Sequence, residues 1–159
     1  MLANSTVLLV RHAEKPDTGS GLAPMGQARA EGYAAYFPSL PLDTTGYDHL
    51  FASSDSSQSQ RPRLTLTPLA EGLNMRIEMP YADKDYESLA TTLLGSTDYT
   101  SNNIVICWHH GKILDLADLL LKGQTPRWPK KWPGHIFGWL LWISYDKDEN
   151  PTSQTCCYR

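Results

Sequence analysis

Cysteine is scarce in this chain, which has three among 159 residues: Cys107, Cys156 and Cys157. An odd number, with two of the three adjacent, does not build the disulfide network that stabilises small secreted domains. The N-terminus also lacks a basic segment followed by a long apolar core, so no signal peptide is predicted. Both observations favour a reducing compartment, and we expect a cytoplasmic protein.

Strong net charge and long apolar runs are also missing. The formal net charge is −3, so no overall basic field would attract nucleic acid. The richest apolar stretch, Ile136 to Ile143, is far shorter than the roughly 20 residues of a membrane-spanning helix, and Gly138 interrupts it. We therefore expect neither a nucleic-acid nor a membrane partner, and an anion site must be built from a few placed cations. Nothing in the composition indicates an oligomeric state.

Short apolar runs are the main structural signal that is present. Val7–Val10 and Ile104–Cys107 consist almost entirely of branched aliphatic residues. This pattern is typical of strands that are buried on both faces of a parallel sheet. Tyr47–Ala52 is a further strand candidate, and Ile136–Tyr145 is predicted to be the last strand of the chain.

Helical patterns separate these runs. Apolar residues recur at intervals of three and four after Pro24, after Arg61 and after Ile113, as on the buried face of an amphipathic helix. Strands that alternate with helices predict an α/β fold with one domain over residues 1–159. The expected architecture is a three-layer α/β/α sandwich around a mainly parallel sheet. The tail after about residue 147 is expected to be loosely ordered.

Arginine and histidine stand where the predicted strands end. Arg11 and His12 follow the first strand, His109 and His110 follow another, and Arg61 opens a helix after a third. Ligands of open α/β sheets bind beyond the carboxyl ends of the strands, so we expect these side chains to line one pocket. Guanidinium groups match phosphate oxygens, and a neutral imidazole is a nucleophile. The set therefore suits a tetrahedral phosphoryl group.

Four blocks of the sequence resemble motifs of the histidine phosphatase superfamily, whose members have a phosphoglycerate mutase-like fold. They occur in the family's order over roughly residues 5 to 122. The blocks are Arg11-His12-Ala13, the helix start Leu22–Ala28, the segment with Ser53-Ser54 and Arg61–Thr65, and the strand ending in histidine-glycine, Ile104–Gly111.

The resemblance implies a metal-independent phosphatase that needs no cofactor. His12 would accept the phosphoryl group as phosphohistidine and pass it to water, while Arg11, Arg61 and His110 hold the phosphate. The substrate would be a phosphomonoester or a related phosphorylated small molecule. The chemistry of the residues agrees, because the nucleophile must be an unprotonated imidazole beside cations that lower its pKa.

Two positions in this set have rivals. Arg63 competes with Arg61, although the arginine-x-x-x-threonine spacing favours Arg61. His109 competes with His110, which is favoured because Gly111 follows it directly; His109 would then lie beside it as a substrate-binding group. A metal site at the two histidines is disfavoured, because adjacent residues of an extended chain point to opposite faces.

The proton donor is the least defined part of the predicted site. Many superfamily members carry a glutamate in a glycine-glutamate-serine-leucine segment, which Tyr86–Leu89 resembles without the glycine, so Glu87 is the first candidate. Asp85 and Asp83 are alternatives, and some compact members have no such acid. Glu87 fits equally well as a first-turn helix glutamate stabilised by the helix dipole. A positioned acid contributes roughly 10²–10⁴-fold to the rate, so its identity bears on the substrate.

Two other functions fit the same residues. One is a non-catalytic phosphate-binding module, and the other is a repurposed enzyme of the same fold that uses the His109-His110 pair. Four of the five tryptophans lie between residues 128 and 142. Trp139 and Trp142 are expected in the core, whereas Trp128 and Trp132 fit either the core or a wall around the leaving group.

Overall fold

Six strands form one sheet in the computed structural model, which describes residues 1–157. The strands are β1 (Thr6–Arg11), β2 (His49–Ala52), β3 (Ile77–Glu78), β4 (Asn103–Trp108), β5 (Trp139–Tyr145) and β6 (Pro151–Cys157). Their order across the sheet is β3-β2-β4-β1-β5-β6. The first four strands of this order pair in parallel, and β5 is antiparallel to both of its neighbours. The predicted α/β fold with a mainly parallel sheet is confirmed.

Four helices cover the sheet: α1 (Pro24–Tyr36), α2 (Arg61–Leu73), α3 (Tyr86–Gly95) and α4 (Ile113–Leu120). Short 3₁₀ turns lie at Phe37–Ser39, Asp83–Asp85 and Thr97–Tyr99. Within residues 1–157, none of the helices has both the length and the apolar character needed to cross a membrane.

The two faces of β1 show how the layers are arranged. Val7 and Leu9 belong to one apolar cluster, which also contains buried residues of α3 and α4. Leu8 and Val10 belong to a second cluster with residues of α1 and α2. Successive side chains of a strand point to opposite faces, so the sheet lies between two helical layers. Burial on both faces explains why this strand is an unbroken apolar run.

The prediction of a loosely ordered tail after about residue 147 is wrong for the part of it that the structure describes. The Asp146 carboxylate accepts hydrogen bonds from the backbone N–H groups of Asp148 and Asn150, at 2.8 and 2.9 Å, and so forms a turn. The chain then returns as β6, which pairs with β5 along its whole length. As an edge strand, β6 carries threonine, serine and glutamine rather than an apolar run, so its composition resembled a loop.

Helix α1 lies unusually close to the backbone that follows β1. Gly26 is buried, and a Cβ atom at this position would lie 2.4 Å from the carbonyl oxygen of Glu14. One turn further along the helix, Arg29 binds both carboxylate oxygens of Glu14 at 2.8–3.0 Å. Only glycine allows this approach, so α1 fixes the segment that carries Arg11 and His12.

Replacing Gly26 by alanine should therefore destabilise the protein. We expect Gly26→Ala to lower the free energy of unfolding by about 1–3 kcal/mol, the usual effect of overpacking. The matched control is Gly72→Ala in α2, where an added Cβ meets no atom within 4 Å; it should raise the free energy by about 0.5–1 kcal/mol. Urea unfolding of both variants measures the difference, and equal effects would contradict the close approach.

Candidate active site

The register between β1 and β4 brings two histidines together. Arg11 is paired with Trp108 at the ends of these parallel strands, and the His12 N–H donates to the Trp108 carbonyl at 3.0 Å. His12 and His109 therefore each follow directly after the last residue of one of these two adjacent strands. Their ring centroids are 5.0 Å apart in an edge-to-face arrangement.

A pocket of about 410 Å³ opens at this edge of the sheet. It contains all the arginines and histidines favoured from the sequence, and it adds residues that carried no motif. Its lining consists of Arg11, His12, Lys15, Ser56, Gln58, Ser59, Arg61, Asp83, His109, His110 and Gly111. Positive charge and imidazole predominate, so the pocket suits an anion.

His12 is held in the form that a nucleophile requires. Its side chain is buried, and Nδ1 lies 2.7 Å from the carbonyl oxygen of Ala13. A carbonyl can only accept, so Nδ1 carries the proton and Nε2 keeps a free lone pair. Burial lowers the pKa of His12 to about 3, and the charges of neighbouring His109, Arg11 and Arg61 act in the same direction. The ring is neutral at neutral pH.

Arg11 is almost completely buried and is held by a distant loop. Its Nη1 donates to the carbonyl oxygens of Gly134 and Ile136, at 2.8 and 2.9 Å, and its guanidinium carbon lies 3.8 Å from the centre of the Phe137 ring. Burial lowers the pKa of Arg11 to about 10, so the group stays cationic at neutral pH. Within residues 1–157, no hydrogen bond uses Nη2, which leaves a donor for a ligand.

Arg61, rather than Arg63, lies in the pocket. Arg61 is the first residue of α2, and its Nη1 donates to the carbonyl oxygens of Gly19 and Gly21 at 3.2 and 3.3 Å. Arg63 points elsewhere and forms an ion pair with Asp55 at 2.9 Å. The helical rotation of two residues separates the two side chains by about 200°.

Thr65 explains the arginine-x-x-x-threonine spacing. Its hydroxyl donates to the Arg61 carbonyl at 2.8 Å and accepts from the Ala13 N–H at 2.8 Å, and the residue is fully buried. Four residues make about one helical turn, so Thr65 lies one turn after Arg61 along α2, on the same side of the helix. It fastens the backbone after His12 to the start of α2.

The two histidines after β4 occupy different depths. His109 is half-buried beside the His12 ring, and burial lowers its pKa to about 4, with Arg61 acting in the same direction. His110 is exposed at the mouth of the pocket, and partial desolvation lowers its pKa, with the charges of Arg11 and Lys15 acting in the same direction. The sequence favoured His110 as the phosphate ligand, whereas the geometry brings His109 closer to His12.

Among the three candidate proton donors, the structure brings only Asp83 into the pocket. The 3₁₀ turn and a hydrogen bond from Trp108 Nε1 to the Asp83 carbonyl, at 3.1 Å, position it. Burial raises the pKa of Asp83, and its Oδ1 is buried without a partner among the described residues. Asp85 and Glu87 are exposed and do not line the pocket; Glu87 instead accepts from the Tyr86 hydroxyl at 3.3 Å.

Trp128 and Trp132 belong to the core, which decides between the two readings left open by the sequence. Both are buried in the cluster on the α3 and α4 face of the sheet, and neither lines the pocket. Phe137, which had no motif to single it out, lies near His12, with 6.3 Å between the two ring centres.

No three histidine, cysteine, aspartate or glutamate side chains within the described residues come together as a metal-binding group.

No family model matches this sequence, and neither does any curated protein. Solved structures, in contrast, match almost the whole chain. The protein histidine phosphatase SixA, in complex with tungstate, superposes with a TM-score of 0.68 and 15% identity over 96% of both chains. Phosphoglycerate mutase from Plasmodium falciparum gives 0.64 and 13% over 96% of this chain and 89% of its own. A mycobacterial glucosyl-3-phosphoglycerate phosphatase with inorganic phosphate gives 0.63 and 14% over 96% of both chains.

These three proteins are members of the histidine phosphatase superfamily. The predicted phosphoglycerate mutase-like fold is therefore confirmed, and the predicted resemblance to this superfamily is confirmed as a likeness of fold. Likeness at 13–15% identity establishes the fold, and the roles of individual residues depend on the geometry of this pocket.

The buried His12 ring should make stability fall as the pH is lowered. The unfolded chain takes up a proton on this residue below its ordinary pKa of 6.5, whereas the folded chain does so only near 3. Stability is thus present above pH 6.5 and is lost as the pH falls towards 3. Between pH 7 and 5 the loss from this residue is about 2 kcal/mol.

His12→Gln removes this titration and keeps a polar side chain. Urea unfolding at pH 7 and pH 5 should show a smaller pH dependence in His12→Gln than in the unaltered protein, by about 2 kcal/mol. His109 titrates in both proteins, so the comparison removes its own contribution and leaves that of His12 together with the coupling between the two rings. An identical pH dependence would mean that His12 titrates normally in the folded state.

Proposed function

We propose that this protein is a metal-independent phosphohydrolase of the histidine phosphatase type, acting on a phosphorylated small molecule. The observation that carries the proposal is the state of His12, a buried neutral imidazole with its proton on Nδ1. Its Nε2 lone pair is free in a pocket that also contains the Arg11 and Arg61 guanidinium groups. The proposed nucleophile and the two groups that would stabilise charge therefore line the same pocket.

The first chemical step is transfer of the phosphoryl group to the protein. Nε2 of His12 attacks phosphorus in line with the leaving group; the new N–P bond forms as the bond to the leaving oxygen breaks. Arg11 and Arg61 bind the equatorial oxygens and spread the charge of the transition state, with the single N–H of the neutral His109 ring as a further donor. In the second step water attacks phosphorus, the N–P bond breaks, and His12 returns to its neutral form.

Asp83 is the proposed proton donor to the leaving oxygen. It lines the pocket, and its raised pKa favours the protonated carboxyl that a general acid needs. The resulting carboxylate then accepts a proton from the attacking water. His110 and Lys15 lie at the mouth, where they are placed to meet the rest of an anionic substrate.

A second substrate class also has support. The superposition with SixA covers 96% of both chains, and SixA is described as a protein histidine phosphatase. In a phosphohistidine substrate the bond broken is N–P, and the leaving group is an imidazole. Phosphoserine and phosphohistidine assayed side by side distinguish a phosphomonoesterase from a phosphoramidate hydrolase.

Hydrolysis of p-nitrophenyl phosphate tests the proposed reaction. We expect turnover in the unaltered protein and a loss of at least roughly 10³-fold in His12→Asn, since the nucleophile is removed. Rapid acid-free quenching should trap phosphate on the unaltered protein in an acid-labile, base-stable form. Tungstate binding without turnover would instead indicate a phosphate-binding module, and turnover retained in His12→Asn would assign the nucleophile elsewhere.

The dependence on the leaving group tests Asp83 against its rival Glu87. With an alkyl phosphate, which needs a protonated leaving group, Asp83→Asn should lower kcat/KM by roughly 10²–10⁴-fold. With p-nitrophenyl phosphate, whose phenolate leaves without help, the same substitution should have a much smaller effect. Glu87→Gln is measured in parallel, and an alkyl-specific loss in that variant would transfer the role to Glu87.

A further inference from the structure

The loop that precedes β5 contacts Arg11, the buried arginine of the pocket, at three points. Nη1 of Arg11 donates to the carbonyl oxygens of Gly134 and Ile136, at 2.8 and 2.9 Å. The central carbon of the guanidinium also lies over the Phe137 ring, 3.8 Å from the ring centre. We name these three groups, the two carbonyls and the ring, the Arg11 clasp.

The clasp is itself anchored in the core. Nε1 of Trp132 donates to the Ile136 carbonyl at 2.6 Å, the same oxygen that Arg11 uses. Trp132 is buried and packs against Trp139 at the start of β5, with ring centres 5.2 Å apart. A continuous set of contacts therefore runs from the core through the loop to the guanidinium group.

The contacts fix both the position and the plane of the fork. A guanidinium presents five N–H donors in one plane, so the two acceptors at Nη1 set its direction and its plane, and the Phe137 ring packs against the group. Among the described residues, the hydrogen bonds hold the guanidinium through Nη1 alone, so the N–H donors of Nη2 stay free for an oxyanion. A planar cation over a ring face also gains electrostatic attraction, which grows when the pair is desolvated.

We propose that Phe137 is a positioning residue that acts on a bound oxyanion through Arg11. Its ring also lies near His12, at 6.3 Å between centres, so it holds the arginine edge in a set place relative to the nucleophile. The inference rests on the proposed function for its catalytic consequence. Its effect on anion binding stands on the geometry of the clasp alone.

Substitutions at residue 137 separate the effect of the aromatic ring on anion binding from the effect of side-chain size. Phe137→Leu keeps an apolar side chain but removes the aromatic face, and it should weaken tungstate binding by roughly 3- to 30-fold. With p-nitrophenyl phosphate, kcat should fall by a similar factor. Phe137→Tyr keeps the ring and should retain both properties. The control is His135→Ala, an exposed residue of the same loop that does not line the pocket; tungstate affinity and turnover should be unchanged.

A double-mutant cycle shows whether the ring acts through the arginine. Arg11→Lys keeps a charge but loses the planar fork, so adding Phe137→Leu to it should change tungstate affinity by less than 2-fold. The thermal midpoint is recorded for every variant. An equal loss in both backgrounds overturns the inference, as does an unchanged affinity in Phe137→Leu alone. A loss that Phe137→Tyr fails to restore also overturns it.

The two proposals fail in different ways. If the unaltered protein binds tungstate but hydrolyses nothing, the proposed function is wrong, while the binding cycle still decides the role of Phe137. If the unaltered protein hydrolyses p-nitrophenyl phosphate and the cycle shows no coupling, only the positioning role is wrong.

Discussion

The parallel pairing of β1 with β4 is the constraint on which the pocket depends. The register that places Arg11 opposite Trp108 makes His12 and His109 neighbours at the sheet edge. Side chains alternate between the two faces of a strand, so a slip of one residue would turn one imidazole away from the other. Both strands are buried on both faces, so a slip would bring side chains of the wrong size and shape into every position of a close-packed core.

The pocket places cationic side chains around the uncharged His12 ring, and these charges act on both the ring and a ligand. Two guanidinium groups near His12 would repel its protonated form, and burial disfavours that form as well. The same groups attract an oxyanion, whose charge would offset their mutual repulsion. The cations that keep the ring neutral are therefore also the groups that would attract an oxyanion to it.

Backbone carbonyls of distant loops hold both arginines in place. Arg11 is bound by the loop before β5, and Arg61 by the glycine-containing loop at residues 19–21. Each of these four hydrogen bonds uses Nη1 and joins residues at least 40 positions apart. The spacing of motif residues along the chain does not reveal such partners, because a backbone carbonyl acceptor can belong to any residue type.

The sequence alone determined the strand runs, the α/β alternation and the arginine-histidine sets, since hydrophobic periodicity and charge at strand ends are local properties. The threonine spacing also favoured Arg61, which the helix turns into the pocket. Only the tertiary structure revealed β6, whose polar edge residues lack an apolar pattern, and only it brought Asp83 and Phe137 to the pocket. It likewise decided which of the adjacent histidines lies deeper. Burial, strand register and contacts between remote segments form only when the chain folds, so no local sequence pattern predicts them.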